Sequence, residues 1–199
     1  MSGGATAGGP AAAGRPAAFI DRDGVINVEV GFLHRIEQFA FLPGAVEALQ
    51  RMQAAGYLLV VITNQSGIAR GLYTEDDYQR LTSHLRARLA DAGVRLDAIE
   101  HCPHLPDAPL ASYRMACDCR KPLPGMLLRA AAALHIDLPG SILVGDRGSD
   151  IRAGRAAGVG RCWLVRSGAP LSAPDLELAD GVFDDLAACA AGLAPAPAP

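Results

Sequence analysis

Two aspartates separated by a single residue, Asp21 and Asp23, stand in the run AAFIDRDGV, directly after four uncharged residues. A carboxylate pair at that spacing can divide the work of hydrolysis. One oxygen attacks as a nucleophile, and the neighbouring acid gives up and then recovers a proton. Gly24 follows, permitting a sharp turn or close ligand approach. Taken alone, the pair is equally well explained as an Asp- and Gly-rich turn after a strand.

A second carboxylate group shifts that balance. The run SILVGDRGSD puts Asp146 and Asp150 just beyond another apolar stretch. Carboxylates from two strand ends make a hard oxygen site suited to Mg²⁺. Asp150 has an alternative role as the N-cap of the next helix. A third apolar stretch, YLLVVI, ends in Thr63, Asn64, Gln65 and Ser66, whose hydroxyls, amides and backbone N–H groups could hold phosphate oxygens. Arg120 and Lys121 directly follow Cys119. Such a pair is either solvated surface or a compact charge beside a bidentate phosphate clamp.

Cys102, His104, Cys117 and Cys119 form a C-x-H…C-x-C array. Three thiolates and an imidazole complete a tetrahedral zinc shell, and a full protein ligand set marks a structural site. Reduced buried thiols or a redox pair are the other readings. His101 lies outside the pattern, and Cys162 in RCWLV reads as core packing.

These residues need elements to hold them. The short, nearly unbroken runs AAFI, YLLVVI (57–62), SILV (141–144) and CWLV (162–165) have the look of strands buried on both faces, with a shorter one near 97–101. Helical spacing predicts helices over 45–55, after Thr74 (Tyr78, Leu81, Leu85, Leu89), from Pro124-Gly125 through Leu134, and over about 149–157. Thr74 with Asp77 makes the helix start. The alternation implies an α/β fold with a mainly parallel sheet, whose carboxyl edge is the usual ligand crevice. The long intervals 22–42 and 102–120 exceed ordinary connections and so have tasks of their own. The expected organisation is a flexible arm over 1–16, one domain over 17–190 containing the loop 102–119, and an Ala/Pro tail over 191–199.

A formal charge of -3 leaves no broad basic surface for nucleic acid. No stretch approaches the length of a membrane span, and the start lacks the basic and apolar regions of a secretory signal. A cytoplasmic monomer is the expectation.

The motifs together resemble the haloacid-dehalogenase-like (HAD) phosphatase superfamily over residues 19–165. Within it, FIDRDGVIN, TNQSGIARG, CPH, CDCRKPLPGM and VGDRGSDI are similar in order and spacing to the heptose bisphosphate phosphatases, with the histidinol-phosphate phosphatases as nearest competitor. The resemblance implies a Rossmann-like three-layer fold without a large cap. It also implies Mg²⁺-dependent release of the 7-phosphate of a small phosphorylated sugar. Asp21 would be the nucleophile, Asp23 the general acid and base, and Lys121 the charge-stabilising partner. Asp21, the backbone carbonyl of Asp23, and Asp146 would hold Mg²⁺, while Cys102, His104, Cys117 and Cys119 would hold Zn²⁺. Thr63, Asn64, Gln65 and Ser66 would meet phosphate, and Arg120 would reach substrate. Glu29, Val30, Gly31 and Phe32 would line the sugar pocket. Val25 stands where the superfamily often has Thr. Arg147 stands where it often has Lys, which alters reach among the substrate contacts. A phosphate-binding module stapled by zinc is the non-enzymatic alternative.

Overall fold

Side-chain alternation along four buried strands decides the architecture. In the computed structural model, which describes residues 14–193, Ala18 and Ile20 face one core while Ala17 and Phe19 face another. Both faces of the sheet must therefore be covered by helices, which is how an all-parallel sheet is stabilised.

β1 (Ala17–Ile20) is followed by α1 (Ala45–Ala54), β2 (Leu58–Asn64), a short α2 (Ser66–Ala69), α3 (Glu75–Asp91) and β3 (Ala98–Cys102). Then come α4 (Gly125–Leu134), β4 (Ile142–Gly145), α5 (Gly148–Ala157), β5 (Arg161–Val165), α6 (Ala173–Leu178), β6 (Gly181–Phe183) and α7 (Leu186–Ala191). The strand order is β3-β2-β1-β4-β5-β6, with every neighbouring pair parallel. Apolar residues of α1, α3 and α7 pack on one face and those of α4 and α5 on the other, giving three layers. The chain runs outward from β1 in one direction and from β4 in the other. Between those strands lies the topological switch point, where ligands bind at the carboxyl ends.

Local sequence explains several boundaries. Thr74 Oγ1 accepts the Asp77 N–H at 3.1 Å while the Asp77 carboxylate accepts the Thr74 N–H at 2.8 Å, so a full capping box opens α3. The 22–42 interval carries one turn of 3₁₀ helix, Ile36–Gln38, and folds back through bridges from Asn27 to Asp23 and Phe41. It forms no separate cap.

The terminal boundaries differ from expectation. Residues 1–13 of the expected arm lie outside the described residues, but Arg15 and Pro16 belong to the fold. The Arg15 carbonyl accepts the Asp137 N–H at 3.0 Å and the Pro16 carbonyl accepts the Leu58 N–H at 3.0 Å. At the other end Ala191 completes α7 and Leu193 packs on the core; residues 194–199 of the expected tail lie outside the described residues. Backbone pairing of this kind leaves no mark on composition. Among the described residues, no helix is long and apolar enough to cross a membrane.

Candidate active site

The carboxyl ends of β1, β2 and β4 converge on one cavity of about 600 Å³. Asp21 follows β1 and donates its N–H to the Val144 carbonyl at 2.9 Å, which carries the β1–β4 pairing one residue past the strand. The chain then turns sharply at Gly24, whose φ is +80°. A Cβ there would come within 2.8 Å of Asp146 Oδ2 and of the Gly168 Cα. Glycine thus lets the β1 loop approach the metal-side carboxylate.

Asp21, Asp146 and Asp150 offer oxygens within 4.8 Å of one another. Lys121 Nζ, also buried, lies 3.0 Å from Asp21 Oδ1 and 2.6 Å from Asp150 Oδ1, and donates to the Ile62 carbonyl at 3.0 Å. Three carboxylates face one ammonium, so the ionised cluster carries two uncompensated negative charges. Burial is the main reason the Asp21 carboxyl is pushed up to about 8; Lys121 pulls it down, but Asp150, Asp146 and Asp23 add to the rise. Asp146 is raised to about 6 by burial and then by Asp150. Burial would depress the Lys121 ammonium, but Asp150 and Asp21 together hold it well above its usual range. The Asp146 Oδ1 atom is buried with no hydrogen-bond partner. An orphaned hard oxygen inside an excess of negative charge fits a divalent cation such as Mg²⁺.

Asp21 and Asp146 of the expected magnesium set lie in the cluster, and Asp150 is its third carboxylate. The Asp23 carboxylate is held by Arg22, Asn27 and Gln65, and the expected set gave Asp23 only its backbone carbonyl. The N-cap of α5 is Arg147 rather than Asp150, which sits at the third helical position: its Oδ2 accepts the Arg147 N–H at 3.0 Å, while Oδ1 meets Lys121.

Asp23 is gripped from several sides. Arg22 reaches it with Nη2 at 2.8 and 3.0 Å and with Nε at 3.2 Å; Asn27 Nδ2 donates at 2.9 Å and Gln65 Nε2 at 3.1 Å. Arg22 is only 1% exposed and its guanidinium lies 5.8 Å from the Tyr78 ring centroid. Gln65 also donates to Thr63 Oγ1 at 2.7 Å and accepts from the Tyr73 hydroxyl at 2.5 Å. Arg22, Asn27 and Tyr73 were not among the sequence candidates. The one available signal was Arg22 itself, since an arginine between two strand-end aspartates has a partner within reach if it folds inward.

Thr63, Asn64, Gln65 and Ser66 all line the cavity, as do Arg120, Lys121 and Arg147. Glu29, Gly31 and Phe32 line it too, whereas Val30 is exposed and outside the lining. The Val30 expectation fails because Gly31 and Phe32 adopt φ values of +72° and +56°, reversing the chain there. Glu29 Oε1 accepts the Gly31 N–H at 2.6 Å, so one of its oxygens shapes the loop. Ser149 and Tyr73 complete the wall without having been foreseen.

Beside this cavity, Cys102, His104, Cys117 and Cys119 close into a second cluster. Cys102 Sγ lies 3.0 Å from Cys119 Sγ and 3.6 Å from Cys117 Sγ, and His104 Nδ1 is 3.3 Å from Cys119 Sγ. All cysteines are free thiols. Zn–S bonds of about 2.3 Å in a tetrahedron separate sulfurs by roughly 3.8 Å, so the four side chains fit zinc after a small expansion. His101 stays outside; its Nε2 lies 2.8 Å from Glu75 and its ring stacks on Tyr78. Arg120 Nη1 donates to the His104 carbonyl at 3.3 Å, tying the loop to the cavity wall.

Comparison with known proteins agrees with this geometry. Residues 118–189 match a family model described as HAD-hydrolase-like. D-glycero-beta-D-manno-heptose-1,7-bisphosphate 7-phosphatase of Salmonella typhi is 48% identical over 172 residues, 86% of this chain and 92% of that protein. The Escherichia coli K12 protein of the same name is 48% identical over 86% of this chain and 90% of its own. The chain belongs to this phosphatase family. Among solved structures, the D,D-heptose 1,7-bisphosphate phosphatase of B. bronchiseptica, complexed with magnesium and phosphate, superposes with a TM-score of 0.76 at 36% identity, covering 88% of this chain and 96% of that one. The Burkholderia thailandensis protein of that name gives 0.63 at 31% identity, covering 89% and 97%. Family membership makes this chain a phosphatase with the HAD-like fold, and its carboxylate and Cys/His clusters suit magnesium and zinc respectively.

Proposed function

We propose that the chain hydrolyses the 7-phosphate of D-glycero-D-manno-heptose 1,7-bisphosphate through an aspartyl-phosphate on Asp21, giving heptose 1-phosphate and phosphate. The observation that carries the mechanism is the buried Asp21 carboxylate held 3.0 Å from Lys121 at the cavity wall.

Asp21 Oδ attacks phosphorus, and the bond to the sugar oxygen breaks. Asp23 protonates the leaving oxygen, then removes a proton from water as that water attacks the aspartyl-phosphate. Phosphate leaves and both carboxylates return to their starting forms. Lys121 and Thr63 stand where charge spreads over the transferring group, and positioning plus charge is most of what phosphoryl transfer needs. Asp21, Asp146 and the Asp23 carbonyl would hold magnesium, with Asp150 at the edge because both its oxygens are engaged. When bound, the ion supplies the positive charge that offsets repulsion between carboxylate and phosphate.

Two arginines, Arg120 and Arg147, line the same cavity. A bisphosphate gives both a partner. Histidinol phosphate would set a cationic amine before them, so that alternative is disfavoured. A purely binding module has no use for a nucleophile and acid pair. The free thiols of the zinc loop suit a reducing compartment such as the cytoplasm. A monomer is the proposed working unit, with 17–190 as its catalytic domain.

The test compares phosphate release from both anomers of the heptose bisphosphate and from histidinol phosphate, with Mg²⁺ present. The relatives' names specify the beta anomer, which is expected to react fastest. A dominant kcat/KM on histidinol phosphate would overturn the substrate assignment.

A further inference from the structure

Asn64 is the last residue of β2 and lines the cavity, a position that invites a reading as phosphate ligand. Its amide is otherwise occupied. Nδ2 donates to the Lys121 carbonyl at 3.1 Å, and Oδ1 accepts the Lys121 N–H at 3.1 Å. One side chain thus pairs with both backbone polar groups of Lys121, as a facing peptide would in a sheet. Among the described residues those are the hydrogen bonds that the Lys121 backbone makes.

The local sequence explains the need. Lys121 lies near the end of the long connection 103–124, which contributes no strand, and Pro122 follows with no N–H to offer. A lysine on such a segment would have no sheet partner to fix it, and yet its ammonium sits buried against Asp21 and Asp150. Three devices hold it. The Cys/His cluster draws Cys119 against Cys102, and Cys102 is the register partner of Asn64 across β2 and β3. The Asn64 amide then fixes the backbone two residues beyond Cys119. Lys121 Nζ finally reaches back to Ile62 on the same strand. Backbone, side chain and metal loop therefore converge on the end of β2.

We infer that Asn64 is a positioning residue that acts through Lys121: its amide fixes the Lys121 backbone so that the ammonium meets the transferring phosphoryl group. This rests on the phosphatase mechanism proposed above. Losing the clamp leaves a carbonyl and an N–H without their partner and frees the lysine to shift. A displacement of about 1 Å in a catalytic group can lower a rate by roughly 10²-fold.

Single-turnover rates on D-glycero-β-D-manno-heptose 1,7-bisphosphate, with Mg²⁺, test it in four chains: wild type, Asn64→Ala, Lys121→Ala and the double variant. Zinc content and melting temperature are measured on each. Asn64→Ala is expected to lose roughly 10²-fold in rate while keeping its zinc. In the Lys121→Ala background the same change is expected to cost less than about two-fold, because the residue it acts through is already gone. Asn64→Asp, isosteric but placing an oxygen against the Lys121 carbonyl, should lose at least as much as Asn64→Ala, and it serves as the single variant if alanine impairs folding. A further loss of full size in the Lys121→Ala background would mean direct phosphate contact and overturn the inference alone. Wild-type rates from Lys121→Ala would overturn the mechanism and the inference with it.

Discussion

The Arg22 guanidinium grips the Asp23 carboxylate with hydrogen bonds of 2.8, 3.0 and 3.2 Å from a position almost wholly closed to solvent. Burial alone would ease the proton off Arg22, and the charge and hydrogen bond of Asp23 outweigh it, so the guanidinium keeps its proton. Removing one partner strands the other. Arg22→Ala should lower the unfolding free energy by about 3 kcal/mol, the low end for a broken buried pair because Asp23 keeps some solvent. Urea unfolding measures it, and a change below about 1 kcal/mol would place the pair among ordinary surface bridges.

Metal-free stability should fall with rising pH. Asp21 carries a folded value of about 8 and Asp146 of about 6, both above 3.8, so between pH 4 and 8 the folded chain binds more protons than the unfolded one. Their contribution is full below about pH 4 and is lost as pH passes about 6 and then about 8. Unfolding in chelator between pH 5 and 8 should show this slope, and saturating Mg²⁺ should flatten it by compensating the carboxylates. An equal slope in Asp21→Asn would assign it to other groups.

Gly24→Ala should weaken magnesium binding. The residue sits at φ +80°, and its new Cβ would press on Asp146 Oδ2 and on the Gly168 backbone. Left-handed strain costs about 1–2 kcal/mol before any clash is relieved. A titration of activity against Mg²⁺ should show a higher half-saturation concentration. An unchanged curve would mean that the β1 loop moves aside freely.

Zinc should matter to catalysis as well as to folding. Cys119 is two residues from Lys121, and Arg120 is tied to the His104 carbonyl. Metal analysis should find about one zinc per chain, and Cys119→Ser should lower both zinc content and melting temperature. In whatever folded fraction survives, kcat/KM should fall too. A zinc-free chain with full activity would refute the bracing role.

Much of this arrangement was legible in the sequence, for physical reasons. The runs ending at Ile20, Ile62 and Val144 were apolar enough to need burial on both faces, and a parallel sheet brings their carboxyl ends together. The capping box at Thr74 and Asp77 was likewise local. What sequence left open depended on side-chain direction. Arg22 was no candidate, yet its side chain folds inward to Asp23. Asn64 read as a phosphate contact, whereas its amide meets the Lys121 backbone. Val30 read as part of the sugar pocket, whereas left-handed residues beside it turn it outward. β6, α6 and α7 went unread because segments of 3, 6 and 6 residues are too short to show a period.

The central claim is that Asp21 itself becomes phosphorylated. A single turnover on heptose bisphosphate labelled in its 7-phosphate, quenched in acid within the turnover time and digested, reads this directly. The account predicts transient label on the peptide carrying Asp21, which decays as free phosphate appears. Phosphate release at the same rate with no label passing through that peptide would contradict it.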